Sequence, residues 1–206
     1  MSEQDDKIKE LLEKAEALYN EGKYKEAIEV LLEANELKQK DYNILCLLGK
    51  SYYMDNQYKE AIKYFSEVLK LKPNDYNILR LLGDSYYCMN NQDREAIKYY
   101  SEALKLKPED TYILKMLGKA CLTESRFKEA IDYLSRAIKL DESLKLEILG
   151  DLGEAYCLDR DTEIGIDCFV EKIELKRDNL SYLIVFADAY DSMGKFKKAE
   201  ETILRA

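Results

Sequence analysis

Proton transfer, metal ligation and nucleophile activation rely first on histidine, and this 206-residue chain has none. Its five cysteines, Cys46, Cys88, Cys121, Cys157 and Cys168, are odd in number and never stand as Cys-x-x-Cys. Neither a disulfide framework nor a zinc site is written in them, and they read as small apolar residues of a core or groove. Carboxylate pairs that could share acid–base work occur at Glu13/Glu16 and Asp151/Glu154, one helical turn apart. A chain with 41 acidic residues meets that spacing by chance. No glycine-rich phosphate loop is present. No cofactor and no metal are expected, the chain is not expected to be an enzyme, and free thiols suit a reducing, cytoplasmic setting.

The charge balance narrows the partners. With 32 basic against 41 acidic residues the formal charge is -9, which repels a phosphate backbone and an anionic membrane surface alike. Nucleic acid is not expected. The longest apolar stretches, such as Tyr182 to Ala187, are far shorter than the roughly 20 residues that cross a bilayer, so no membrane insertion is expected. Met1 to Asp6 is polar and acidic, unlike a signal peptide. At 47% apolar composition the chain can still bury a sizeable core.

Self-similarity organises the rest. Asp41-Tyr42-Asn43-Ile44-Leu45 returns 34 positions later as Asp75-Tyr76-Asn77-Ile78-Leu79. Leu48-Gly49-Lys50-Ser51-Tyr52-Tyr53 returns as Leu82-Gly83-Asp84-Ser85-Tyr86-Tyr87, and Glu60-Ala61-Ile62-Lys63-Tyr64 as Glu95-Ala96-Ile97-Lys98-Tyr99. The last offset is 35, so one residue is inserted around Met89 to Asp93. Within each unit apolar and small residues fall three and four apart, as in Leu45, Leu48, Gly49, Tyr52 and then Ala61, Phe65, Val68, Leu69. That spacing predicts two amphipathic helices joined at Asp55-Asn56-Gln57. Between units, Lys72-Pro73-Asn74-Asp75 stops one helix with proline and offers aspartate as N-cap for the next, and Asp41 and Asp110 sit in the same place.

A period of this length carrying Leu-Gly-x-x-Tyr, then Ala, an aromatic and Pro resembles the tetratricopeptide (TPR) repeat over nearly the whole chain. The small anchors are Ala15, Gly49, Gly83, Gly118, Gly153 and Ala187 in first helices, answered by Ala27, Ala61, Ala96, Ala130, Gly165 and Ala199 in second helices. Units run at about 8–41, 42–75, 76–110, 111–145, 146–179 and 180–206. The expected fold is all-α: a right-handed α-solenoid of about six tandem helix-turn-helix hairpins forming a single array over 1–206. The sequence departs from the family pattern where Gln39, Glu142 and Arg177 replace proline and Cys121 replaces tyrosine. Gly165 inside a helix should cost about 1 kcal/mol against alanine and make the fifth hairpin the softest.

The resemblance implies that first helices line a concave groove that receives an extended peptide or a partner helix. The groove positions of the central units are Asn43, Leu47, Lys50 and Tyr53; Asn77, Arg80, Leu81, Asp84 and Tyr87; and Tyr112, Lys115, Met116 and Lys119. Lys50, Arg80, Lys115 and Lys119 make the middle electropositive, and the apolar and aromatic residues around them suit a peptide with acidic and apolar side chains. The expected function is a protein-interaction scaffold or adaptor that binds a protein or peptide. Co-chaperones that clamp heat-shock carboxylates need a lysine and asparagine set that no register here supplies: Cys46 and Lys50, or Arg80 and Asp84, stand where Lys and Asn belong. At the other end, Tyr182 to Ala187 is apolar round the whole helix without a polar cap following it. Self-association into a homodimer through Tyr182, Ile184 and Val185 is the alternative expectation.

Overall fold

The computed structural model describes residues 3–89, 92–176 and 182–204. Among them the regular structure is helical throughout: α1 (Glu3–Asn20), α2 (Tyr24–Leu37), α3 (Tyr42–Met54), α4 (Tyr58–Leu71), α5 (Tyr76–Tyr87), α6 (Asp93–Leu106), α7 (Thr111–Thr123), α8 (Phe127–Leu140), α9 (Lys145–Leu158), α10 (Thr162–Lys176), α11 (Tyr182–Ser192) and α12 (Phe196–Ile203). Successive odd and even helices pack as hairpins, which is the all-α repeat architecture expected from the period. The chain divides into two compact units, 1–108 and 109–206. The first holds α1 to α6 and the second α7 to α12.

Helix starts follow the aspartates. Asp41 accepts from the Asn43 and Ile44 amides at 2.9 and 3.3 Å, Asp75 from Asn77 and Ile78 at 3.1 and 3.3 Å, and Asp110 from Ile113 at 3.0 Å. Each supplies an acceptor for amide donors that the first helical turn leaves unpaired. The fourth boundary differs: Asp141 caps a short 3-10 turn, Glu142–Leu144, which leads into α9.

Inside hairpins the turn is equally regular. In the first, the Gly22 amide donates to Tyr19 and the Lys23 amide to Leu18, the paired bonds of a Schellman turn whose central residue takes a positive φ. Gly22 has φ 78° and Gly194 φ 71°, a region where glycine carries no Cβ penalty. Asn56, Ser125 and Arg160 occupy the same place at φ 60°, 59° and 75°.

The small anchors mark where paired helices cross. A Cβ on Gly49 would stand 2.5 Å from the Phe65 ring, and one on Gly83 2.5 Å from the Tyr100 ring. At Gly118 it would run into the Leu134 side chain. The fifth hairpin corrects the sequence expectation. A Cβ on Gly165 would overlap Cys157 Sγ and lie 2.7 Å from the Gly153 carbonyl oxygen, so α9 and α10 meet backbone to backbone. Glycine at 165 is demanded by that approach, and alanine would not firm the hairpin.

In the first unit the core runs through Ile8, Leu11 and Ala15, then Leu31, Ile44, Leu48, Phe65, Ile78 and Leu82. Full burial of such side chains contributes about 1.5 to 3 kcal/mol each. Tyr52 stacks on Tyr64 and Tyr86 on Tyr99, both at 5.4 Å between ring centres, so each of these hairpins is also clasped by an aromatic pair. In the second unit Ile166, Val170, Leu183, Tyr190 and Ala199 form the last cluster.

Candidate functional site

On α3, Asn43, Leu47, Lys50 and Tyr53 recur at intervals of three and four and share one face, while Ile44, Leu45 and Leu48 are buried against the core. Asn43 and Lys50 are exposed, and Leu47 and Tyr53 are half-buried. Lys50 has no carboxylate partner among the described residues. Tyr53 meets Tyr58 edge to face at 5.7 Å. Burial, with the Asp84 carboxylate next in weight, pushes its phenol up to about 12. On α5, Asn77 is exposed, and Arg80 and Tyr87 are half-buried.

Two expected groove residues lie underneath instead. Leu81 is part of the core cluster. Asp84 is only 3% exposed, because it accepts from Arg80 Nη1 and from the Tyr100 hydroxyl, each at 2.8 Å. A buried carboxylate needs such partners, and it takes Arg80 as one of them.

In the second unit Tyr112 is exposed and Met116 half-buried. Lys115 donates to both oxygens of Glu147 at 3.0 and 3.1 Å, with its ammonium 5.7 Å from the Tyr112 ring centre. Lys119 lies 3.9 Å from Glu147 and 3.6 Å from Asp151. Three of the four cations expected to give an electropositive middle therefore have carboxylate partners, and Lys50 is the exception among the described residues. The Lys119 pairs lie nearer the surface, where such contacts are worth about 0 to 1 kcal/mol and an incoming carboxylate can compete for the lysine, whereas Arg80 is held by a buried partner. The Arg80–Asp84 pair was legible as an i,i+4 spacing. The α7–α9 ladder was not, since it depends on how two hairpins stack.

Near the last hairpin, Ile184 and Val185 are 52% and 59% exposed, while Leu183 and Ala187 on the same helix are buried. The Tyr182 side chain falls outside the described residues. Asp167 accepts from Tyr190 and from Lys198, and Lys198 and Lys195 also pair with Glu163. This network borders a cleft of about 390 Å³ lined also by Glu171, Glu174 and Glu201.

Among the thiols Cys46, Cys121 and Cys168 are buried and Cys88 is exposed. Burial pushes Cys121 and Cys168 up to about 11, so neither is a ready nucleophile at neutral pH. No described helix is long and apolar enough to cross a membrane.

Antiparallel hairpins with a small residue at each crossing, aspartate caps between repeats and an open first-helix face define the class: an all-α solenoid of tetratricopeptide repeats, whose trade is protein interaction. The family model described as "Anaphase-promoting complex, cyclosome, subunit 3" matches residues 1–68 and 54–137, and the chain belongs to that family. None of the curated proteins matches it. Solved structures do. MamA from Desulfovibrio magneticus RS-1, residue 41 to the end, is 22% identical with a TM-score of 0.77, over 84% of this chain and 97% of that one. YrrB, described as a TPR protein with an unusual peptide-binding site, is 19% identical with a TM-score of 0.75, over 87% and 95%. A MamA structure labelled MSR-1 is 18% identical with a TM-score of 0.68, over 98% and 97%. At these identities the likeness establishes the fold.

Proposed function

We propose that the chain is a non-catalytic scaffold that captures a peptide or a partner helix on the first-helix faces, with all six hairpins of 1–206 serving one array. The observation that carries this reading is the α3 and α5 face, where Asn43, Leu47, Lys50, Tyr53, Asn77, Arg80 and Tyr87 stand open or half-open above a packed core. Asn and Lys there offer donors, Leu and Tyr offer apolar surface, and Lys50 invites a carboxylate. On the second unit, Tyr112, Lys115, Met116 and Lys119 would form a face of the same kind. The partner is then a protein segment with apolar and acidic side chains, met in the cytoplasm. Nucleic acid, membrane and heat-shock carboxylate tails lie outside the proposal. Reversing Lys50 and Lys115 to glutamate should abolish capture of the native partner, identified by cross-linking in cell extract and peptide mapping, while circular dichroism stays unchanged. Undiminished capture by that variant at low salt would remove the face from consideration.

A second reading rests on Ile184 and Val185. Their exposure side by side on α11 favours homodimerisation through this end. Light scattering over a dilution series should then show mass falling with concentration, and Ile184→Lys with Val185→Lys should hold the chain monomeric. A monomer at every concentration excludes the dimer.

A further inference from the structure

Tyr19 on α1, Tyr53 on α3 and Tyr87 on α5 occupy the same place in three successive first helices, each 34 residues from the last. All three are half-buried, within the first unit. Two of the rings are braced alike: Tyr19 meets Tyr24 edge to face at 5.4 Å, and Tyr53 meets Tyr58 at 5.7 Å, both at 63°. A braced ring offers contact area with little rotamer freedom left to lose on binding.

The spacing selects a conformation. Neighbouring packed helices stand about 8 to 10 Å apart, and α1 touches α3 directly. An α-helical ligand returns side chains to one face at ~5 to 6 Å and again at ~10.5 Å, and a β-strand every ~7 Å, so both fall outside that interval. A polyproline II segment turns once in three residues at ~3.1 Å each, a repeat of about 9 Å. Its chemistry matches too. All its carbonyls are free acceptors, and proline has no amide donor to satisfy. The face answers with donors: the ammonium of Lys50, about one helical turn from Tyr53, and the phenols. Burial raises the Tyr19 and Tyr53 phenols, so both keep their protons well above neutral pH.

We propose that Tyr19, Tyr53 and Tyr87 form a ladder that receives a proline-rich segment in the polyproline II conformation, one turn per tyrosine, with an acidic side chain on Lys50. The proposal rests on the scaffold reading above and names the ligand for its first unit. It adds a rule that the scaffold reading lacks, since the ligand must be preformed and rich in proline.

Calorimetric titration of the full chain tests it with three capped peptides of about nine residues, three turns of the helix. The first is proline with a central glutamate, the second has alanine for every proline, and the third has lysine for the glutamate. The proline–glutamate peptide should bind, the alanine peptide about tenfold more weakly, and the lysine peptide should recover on Lys50→Glu. Tyr53→Ala and Tyr19→Ala should each weaken the first peptide by about fivefold or more. Tyr53→Leu, which keeps apolar bulk if the alanine variant unfolds, should weaken it as well. Equal binding of the proline and alanine peptides, abolished by Lys50→Glu, would overturn the ladder and leave the scaffold reading standing. Absence of binding by the proline–glutamate peptide at millimolar concentration overturns the ladder outright, whereas the scaffold reading is judged by its own cross-linked partner.

Discussion

Tyr42, the first residue of α3, donates its hydroxyl to Asp75, the residue that caps α5, at 2.6 Å. Asp75 is 4% exposed and also takes the Asn77 and Ile78 amides and the Lys72 ammonium, the last at 3.1 Å. One carboxylate thus joins the start of α3, the end of α4 and the start of α5. Lys72 also lies 5.6 Å from the Tyr42 ring centre, and Lys107 holds the same relation to Tyr76 at 3.8 Å. The hairpin seam is therefore closed by polar contacts as well as by apolar ones.

Removing that carboxylate should be felt twice. Asp75→Ala loses a cap, about 1 kcal/mol, and strands the Tyr42 hydroxyl, about 1 kcal/mol more, for a total of about 2 kcal/mol. Tyr42→Phe alone should cost about 1 kcal/mol, and almost nothing when Asp75 is already alanine. Urea unfolding of the four proteins in the cycle measures the coupling. Strict additivity would mean that the bond does not contribute.

Stability should fall at both ends of the pH scale. Burial tends to raise Asp75, but the hydrogen bonds from Tyr42, Lys72 and the Ile78 amide outweigh it and hold the carboxyl below its usual range, and Asp41 behaves alike. A lowered folded pKa adds stability that is in place above about pH 4 and is lost as pH falls through the folded value. The phenols of Tyr52, Tyr53, Tyr64 and Tyr86 are raised, chiefly by burial, and that of Tyr42 chiefly by its bond to Asp75. Their contribution is complete below about pH 10 and is lost as pH rises beyond it. Melting temperature against pH should show a plateau between these limits. In Tyr42→Phe the alkaline limb should become shallower, and an unchanged limb would count against the Tyr42 assignment.

Crossing glycines make a signed prediction. Gly83→Ala would set a methyl 2.5 Å from the Tyr100 ring, which is fully buried and tied to Asp84, so overpacking should cost about 1 to 3 kcal/mol. Gly165→Ala should cost a similar amount, although helix propensity alone would make it a gain of about 1 kcal/mol. Thermal melts decide by sign, and a stabilised Gly165→Ala would show that α9 and α10 do not meet as closely as described.

Turn residues offer a gain. Arg160 holds φ 75° where Gly22 and Gly194 hold 78° and 71°. Arg160→Gly should relieve about 1 to 2 kcal/mol of left-handed strain and give back about 0.5 to 1 kcal/mol in unfolded-chain entropy, a net gain of about 0.5 kcal/mol. Asn56→Gly should be close to neutral, since asparagine already tolerates φ 60°. Equal effects at the two sites in chemical denaturation would refute the strain argument.

What the sequence determined by itself was everything that repeats locally. Asp41, Asp75 and Asp110 lie within three residues of the amides they cap, Gly49 and Gly83 recur beside Leu48 and Leu82, and helical phase sets Asn43, Lys50 and Tyr53 on one face, which the family resemblance marks as a groove. Those relations depend on short stretches of chain, so a linear pattern carries them. Tertiary structure alone decided the rest. Lys115 finds Glu147 at 3.0 Å across 32 positions, Asp84 turns inward because Tyr100 reaches it from α6, and Gly165 becomes indispensable because Cys157 and the Gly153 carbonyl fill the space beside it. Charge pairing and close packing are set by distances between helices. A sequence periodic within each helix records which face turns toward a neighbour, but not how near that neighbour comes or which side chain it brings.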